Sequence, residues 1–367
     1  HVYCGNLILP NLNPATVYFI GDNYLSDGKL TYYCSPNATP NQQLGAIKEI
    51  YQQILFNFSQ GPKPQVLLYS FKLLPMTKES YQLILANIVS DGQQAYLFGN
   101  LLPLALPQNL HYLSQFNGRA SNRYLTDKQH VYYENKLLNI RDNGQLVTYD
   151  ISSLAGHYLE DPVQHYFYFQ DIPFPAELKP LRILNTSDKH GITTLFVSSK
   201  GIYYVNRDKN IIKRAGDSPF NNVFEQIYPD IYSNGINSFF LMADETHTQT
   251  KAGSFLCGYV TYLMELVDAP AKDWEEMGNT GHGLKSPGSI WRNGNRYFYF
   301  DKTGQNDHLN SAIYEIRDPE LASYMLFDFI EASTIHMYIK EGLMHIPKHR
   351  VIIQADNRFN GCWSSMS

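Results

Sequence analysis

Clusters of tyrosine and phenylalanine at strand-like spacing recur along this chain, and they constrain its fold more than any other feature. The segments HVYYENKLLNI, HYFYFQDI, GIYYV and RYFYFD are examples, in a sequence of 367 residues with 28 Tyr and 20 Phe. Bulky aromatic side chains suit the pleated, half-buried surface of a β-sheet. The sequence therefore predicts a strand-rich protein with some helices.

Three aromatic segments, VYYENKLLNI, GIYYVNRDKNIIKRA and RYFYFDKTG, resemble one another. They are separated by about 70 and then by about 90 residues, and this spacing is too irregular for a propeller or a solenoid. We interpret them as hairpins of similar chemistry.

Charge and hydropathy exclude several classes of function. The net charge is −5 and no long Lys/Arg run is present, so the chain lacks the electrostatic footprint of a nucleic-acid-binding protein. The stretches LLPLALP and FLCGYVTYLMELV fall short of the roughly 20 apolar residues that cross a bilayer. We expect a soluble protein with no nucleic-acid partner and no transmembrane segment.

The four cysteines are Cys4, Cys34, Cys257 and Cys362. They form no C-x-x-C pair and lie in no ladder of histidines, so we expect no metal site and no cofactor. The sequence leaves a disulfide between Cys4 and Cys34 open. Four cysteines in a chain of this length do not predict a stapled secreted framework.

The chain divides into three predicted regions. Residues 1–125 form an N-terminal α/β accessory region, in which NQQLGAIKEIYQQILFNF has the apolar spacing of a helix. Residues 126–268 form the central unit, and residues 269–367 form a C-terminal accessory region that follows a Gly- and Pro-rich linker. We expect the chemistry to lie in the central unit.

Cys257 is the candidate nucleophile. The segment SFLCGYVTYLMEL predicts an apolar helix with Ser254 at its N-cap and Cys257 in its first turn. A helix N-terminus stabilises a thiolate and offers N–H groups to an oxyanion. The predicted position therefore favours nucleophilic catalysis.

His190 and Asn206 are the candidate base and orienting residue. The segment KHGITTLFVSSKGIYYVNRDKN predicts a strand from His190, a turn at residues 198–201 and a second strand to Asn206. These two residues would then lie at the same end of a hairpin, within reach of a ring N–H to oxygen hydrogen bond. Asp208 lies two residues further on and is the rival for the orienting role.

The order of His, Asn or Asp, Gln and a CGYV segment resembles that of the clan CE (Ulp1-like) cysteine peptidases, which include bacterial effector deubiquitinases. The resemblance runs from about residue 189 to about residue 266 and places the oxyanion-hole glutamine of that family on Gln249. The residues Thr248, His247 and Thr250 are alternatives for that role. The resemblance implies an α+β fold with a papain-like core and flanking α/β regions. In such a core, a central mixed sheet carries the nucleophile at a helix N-terminus.

The same resemblance implies a cysteine peptidase that cleaves ubiquitin or a ubiquitin-like modifier through an acyl-enzyme. It also implies a bacterial effector that acts in the cytoplasm of a host cell. Two alternatives remain open. One is a non-catalytic protein-interaction module with Cys257 buried, and the other is an acyltransferase of the same clan.

Overall fold

The structure is a computed structural model. It describes residues 1–41, 44–115, 118–152, 156–184, 194–220, 223–250, 253–280, 286–302, 309, 311–328 and 330–358.

The first half of the chain forms short antiparallel sheets and one helix. Its strands are β1 (Tyr3–Cys4), β2 (Leu7–Ile8), β3 (Tyr18–Gly21), β4 (Tyr24–Ser26), β5 (Thr31–Cys34), β6 (Thr39–Pro40), β7 (Leu67–Leu68), β8 (Phe71–Leu73), β9 (Gln82–Leu85), β10 (Ile88–Ser90), β11 (Ala95–Leu97), β12 (Asn100–Leu101), β13 (His111–Ser114), β14 (Ala120–Thr126), β15 (Val131–Tyr133) and β16 (Lys136–Leu137), with α1 (Ala46–Asn57) between β6 and β7. Three four-stranded sheets result, in the orders β3-β4-β5-β8, β12-β11-β10-β9 and β13-β14-β15-β16.

The second half continues with longer strands. Its elements are β17 (Val147–Ser152), β18 (Gly156–Asp161), β19 (Tyr166–Phe169), β20 (Ile172–Pro173), β21 (Arg182–Leu184), β22 (Leu195–Ser198), β23 (Gly201–Asn206), β24 (Ile211–Gly216), β25 (Glu225–Tyr228), β26 (Ile231–Ser233), β27 (Asn237–Thr250), β28 (Gly253–Pro270), β29 (Trp274–Asn279), β30 (Gly288–Asn293), β31 (Arg296–Asp301), β32 (Ile313–Ile316), α2 (Pro319–Phe327), α3 (Ala332–Lys340), β33 (Met344–His345) and β34 (His349–Asp356). Their sheets are β17-β18-β19-β20, β21-β22-β23-β24, β25-β26-β27-β28-β34 and β29-β30-β31-β32-β33.

The prediction of an α+β fold with a papain-like core is wrong. The strands pair antiparallel in consecutive meanders, and the described residues contain no central mixed sheet with a helix across it. The aromatic segments that predicted strands do form them, for example at β15, β19, β23 and β31. Four-stranded antiparallel meanders of this kind are the repeating unit of several all-β architectures.

One turn design recurs between paired strands. An aspartate or asparagine accepts hydrogen bonds through Oδ1 from the backbone N–H groups two and three residues later, which closes the turn without help from the rest of the protein. The residues that do this are Asp27, Asp91, Asp127, Asp161 and Asn234.

A hydroxyl residue precedes four of these five turn residues and adds a third bond. The hydroxyl oxygens of Ser26, Ser90, Thr126 and Ser233 accept from the backbone N–H two residues later. From Asp91 to Asp161 the turns recur at a spacing of about 35 residues. The aromatic segments thus belong to a recurring unit, although their spacing argued against a repeat.

Tyrosine fills the interior of the sheets because its hydroxyl finds a carbonyl at the edge of the core. Tyr32, Tyr132 and Tyr299 are almost fully buried. Their hydroxyls donate to the carbonyl oxygens of Pro10 (2.7 Å), Pro103 (3.0 Å) and Pro287 (2.8 Å). Burial of the ring therefore leaves no unsatisfied hydroxyl at these three positions.

The chain separates into two compact units. The first comprises residues 1–114 and 118–144, and the second comprises residues 115–117 and 145–367. The predicted boundaries near residues 125 and 268 stay predictions. No helix in the described part of the chain is long and apolar enough to cross a membrane.

Candidate functional site

Cys257 lies within a strand and not at the start of a helix. It belongs to β28, which pairs with β27 on one side and, from Val260 onward, with β34 on the other. Tyr259, Val260 and Thr261 follow it, and aromatic and β-branched residues favour strands. The helix N-terminus that was expected to acidify the thiol is therefore absent at this position.

The Cys257 sulfur is also chemically occupied. The residue is disulfide-bonded, and it is 5% exposed. A nucleophile must be a thiolate, so a sulfur in a disulfide cannot attack a carbonyl carbon. Any reaction at Cys257 requires reduction of that bond first.

Asn206 ends β23, as predicted, but its amide group has a structural role there. Its Nδ2 donates to the carbonyl oxygen of Asp356 (3.2 Å), and its Oδ1 accepts from the backbone N–H of Lys209 (3.0 Å). The first bond joins β23 to the end of β34, and the second closes the β23–β24 turn. Both polar atoms of the side chain have these partners.

The remaining predicted site residues are Asp208, Gln249 and His190. Asp208 lies in the β23–β24 turn, and Gln249 pairs with Ser254 near the end of β27. The hairpin expected around residues 198–201 is present, because Ser198 pairs with Gly201. His190 and Cys362 lie outside the described residues, so the triad of Cys257, His190 and Asn206 or Asp208 stays a prediction.

The strongest candidate for a functional surface is helix α1. Good helix formers dominate its sequence, AIKEIYQQILFN, which begins after Gly45 and ends at Asn57. The apolar residues Ile47, Ile50, Tyr51, Ile54 and Phe58 recur at the spacing that places them on one side of a helix. In a globular protein such a side normally packs on the core.

Here that apolar side faces solvent. Ile47 is 88% exposed and Ile50 is 61% exposed, and Tyr51, Ile54 and Phe58 are exposed as well. The residues of α1 that are partly buried, Glu49, Gln52 and Leu55, lie on a different side of the helix. We call the exposed group Ile47, Ile50, Tyr51, Ile54 and Phe58 the α1 apolar face.

A groove of about 470 Å³ lies beside this face. Lys48, Tyr51, Gln52 and Leu55 line it from the helix, and residues 60–62 line it from the segment that follows. The groove has room for an apolar side chain, and Lys48 and Gln60 bring polar groups to its edge.

The sequence predicted the helix but not the exposure of its apolar side. Apolar residues at helical spacing look the same whether the helix packs on its own core or on another molecule. The two short strands on either side of α1, β6 and β7, carry no signal that separates these cases.

The first third of the chain is similar to one described family. The family model of the DKNYY family matches residues 1–136 of the 367. The matched residues include α1 and the three turns at Asp27, Asp91 and Asp127. No curated protein and no solved structure matches the chain.

These findings correct the resemblance drawn from the sequence. A clan CE peptidase was expected between residues 189 and 266, but the matching family is a different one and covers a different part of the chain. Asn206, Gln249 and Cys257 of that motif lie in strands of antiparallel sheets, and short motifs of common residues carry little information.

Proposed function

We propose that this chain is a non-catalytic protein-interaction module and that the α1 apolar face binds an apolar groove on a partner protein. The observation that carries the proposal is the exposure of four large apolar side chains on one side of helix α1 and of Phe58 directly after it. Contiguous apolar patches on soluble proteins mark interaction sites more often than chance exposure does.

The spacing of the α1 apolar face is typical of a helix that binds in a groove of a partner protein. Helices that bind in grooves present apolar anchors at positions i, i+3, i+4 and i+7, and Ile47, Ile50, Tyr51 and Ile54 have that spacing. Burial of a side chain of this size is worth roughly 1.5–3 kcal/mol. Four such anchors would supply roughly 6–12 kcal/mol before the cost of association is subtracted.

The cysteine peptidase and the acyltransferase of the same clan stay predictions, as does ubiquitin as the substrate. Both reactions need a free thiolate, and Cys257 is disulfide-bonded. No contact in the described residues favours either reaction over the interaction module.

We infer further that the protein resides in an oxidising compartment. Cys4 and Cys34 form a disulfide, and Cys257 is disulfide-bonded as well. Structural disulfides persist in secreted and periplasmic proteins and are rare in the reducing cytosol. This location replaces the cytoplasm of a host cell in our proposal.

Photo-crosslinking tests the interaction. A photoreactive amino acid at position 50 in the producing cells should give one discrete adduct, whereas the same amino acid at position 53 should give little or none. Gln53 is the matched control because it is exposed on the same helix outside the apolar face.

Affinity for the purified partner completes the test. We expect Ile50→Ser to weaken binding at least tenfold, which corresponds to about 1.4 kcal/mol, and Gln53→Ser to change it less than twofold. Equal adducts at positions 50 and 53, or equal affinities of the two variants, would show that the helix is not the binding element.

A further inference from the structure

The surface around α1 carries both a projecting apolar face and a recess. The α1 apolar face points into solvent, and the groove of about 470 Å³ lies directly beside it. Tyr51 belongs to both, because it is exposed on the face and also lines the groove. A protein with both features on one surface can bind a second copy of itself about a two-fold axis, since each copy then supplies a projection and a recess.

The groove keeps its shape in the isolated chain. The N–H of Gln60 donates to the carbonyl oxygen of Leu55 (2.8 Å), which holds the segment after α1 against the helix. A Cβ atom on Gly61 would lie 3.3 Å from the Cβ atom of Leu55, so the two elements are in close contact. The wall formed by Gly61 and Pro62 is therefore in place before a partner binds.

The charges of α1 favour an antiparallel pair of helices. Lys48 lies in the first turn, at the positive end of the helix dipole, and the last turn, ILFN, contains no basic residue. A parallel pair would gather both positive helix ends and both Lys48 side chains at one end. An antiparallel pair places Lys48 of each copy near the C-terminal end of the other copy's helix, where a cation is favourable.

The spacing of the α1 apolar face fixes the register of such a pair. An antiparallel pair centred on the face places Ile47 of one copy opposite Phe58 of the other, and it places Tyr51 opposite Ile54. A two-fold axis between antiparallel helices keeps the same side of each helix together, so the two grooves lie on one side of the pair. Tyr51 of each copy then reaches the groove of the other beside Leu55, and its hydroxyl meets the polar edge of that groove.

We propose that the partner of the α1 apolar face is a second copy of this chain, and that the two α1 helices pair antiparallel with Tyr51 of each copy in the groove of the other. The pairing rests on the proposed function, because it names the partner of the same face. Ten large apolar side chains, five from each copy, would bury roughly 600–1,200 Å². Specific interfaces of this size are weak, so the dissociation constant lies in the micromolar range.

Sedimentation equilibrium of the purified chain tests the pairing. We expect a monomer–dimer equilibrium within about 1–100 µM, which Tyr51→Ser weakens at least tenfold and Gln53→Ser changes less than twofold. Gln53 is the matched control, because it is exposed on α1 outside the apolar face. Both positions are exposed, so the unfolding midpoints of the three proteins should agree within about 2 °C.

Cysteine crosslinking tests the orientation of the helices. Mixing Ile47→Cys with Phe58→Cys should give a disulfide-linked dimer, whereas either variant alone should give little or none. In an antiparallel pair, position 47 of one copy lies about 16 Å along the axis from position 47 of the other. This exceeds the Cα separation of roughly 7 Å that a disulfide spans. Crosslinking of each variant with itself would overturn the antiparallel pair.

Photo-crosslinking at position 50 distinguishes a wrong partner from a wrong surface. A chain that stays monomeric, together with an adduct whose mass is not twice that of the chain, would overturn the second copy and leave the proposed function in place. The absence of any adduct at position 50 would overturn both. A dimer that Tyr51→Ser does not weaken would show that the copies pair through another surface, and the inference would be wrong.

Discussion

The aspartates of the recurring turn differ in how many hydrogen bonds they accept. Among the described residues, Asp91 accepts the two turn bonds alone, from the N–H groups of Gln93 and Gln94. Asp127 is fully buried and also accepts from the N–H of Leu106 (2.9 Å) and from Nδ1 of His130 (3.0 Å). Burial raises the pKa of Asp127, but these hydrogen bonds outweigh it, so the pKa lies below the ordinary 3.8.

We predict that Asp127→Ala destabilises the protein by about 3–4 kcal/mol and Asp91→Ala by about 1 kcal/mol, since the first leaves more buried N–H groups unpaired. Urea denaturation measures both changes. Because the folded-state pKa of Asp127 is lowered, its contribution is complete above the unfolded value of 3.8 and is lost as the pH falls through the folded value. Asp127→Asn should show less of this acid-induced loss, and equal costs for the two alanine variants would contradict the prediction.

At the scale of elements, the sequence predicted strands, hairpins and helix α1 from local patterns, and it failed where the pattern was ambiguous. The β22–β23 hairpin was predicted correctly because Ser198 to Gly201 is a strong turn signal. The continuous apolar run at β28 was misassigned as a helix, since periodicity does not separate a buried strand from a buried helix. Pairing with β27 and β34 makes this apolar run a strand. The local sequence does not indicate partners that are distant along the chain.

The helix start expected at Cys257 was wrong for a related reason, and the triad itself stays a prediction. The expected role of Cys257 depended on a helix start, and that of Asn206 depended on a free side chain. The disulfide at Cys257 and the bond from Asn206 to Asp356 both involve tertiary structure. The spacing of the three similar segments hides the recurring turn, because a further aromatic segment, HYFYFQDI, lies between the first two.

The recurring turn yields a prediction at Lys128. Gly28, Gly92 and Gly235 follow the capping residue with φ of +87°, +89° and +86°, whereas Lys128 occupies the equivalent position with φ of +75°. An L-residue pays about 1 kcal/mol there. We expect Lys128→Gly to stabilise the protein by about 0.5–1 kcal/mol and Lys128→Ala to give no gain, as measured by urea denaturation. A loss of stability in Lys128→Gly would contradict this explanation.

At the scale of the whole molecule, the described hydrophobic clusters each lie within one of the two compact units. The clusters around Tyr32, Tyr24 and Leu125 belong to the first unit. Those around Leu263, Phe167, Ile290 and Phe300 belong to the second. Separate cores allow separate unfolding, and proteins built this way often depart from two-state behaviour.

We predict two transitions in guanidinium denaturation. Replacing both Cys4 and Cys34 by Ser should lower only one of them, by roughly 3–4 kcal/mol, because the disulfide closes a loop of 30 residues in the first unit. Arg296→Met should lower only the other, because Arg296 holds Glu315 through two bonds of 2.7 and 2.8 Å in the second unit. One transition that both changes shift alike would contradict the prediction.

The pairing of β34 with β28 has a consequence for synthesis of the chain. On the edge of β28 that faces away from β27, Val260 and Leu263 pair with Asp356 and Ile353, and the whole β29–β33 sheet is translated in between. While the nascent chain is still on the ribosome, the outer edge of β28 is bare, and an unpaired strand edge invites contact with other chains. Stalled or shortened translation products that lack residues 349–356 are therefore the species of this protein most prone to aggregate, and the cell must chaperone or degrade them.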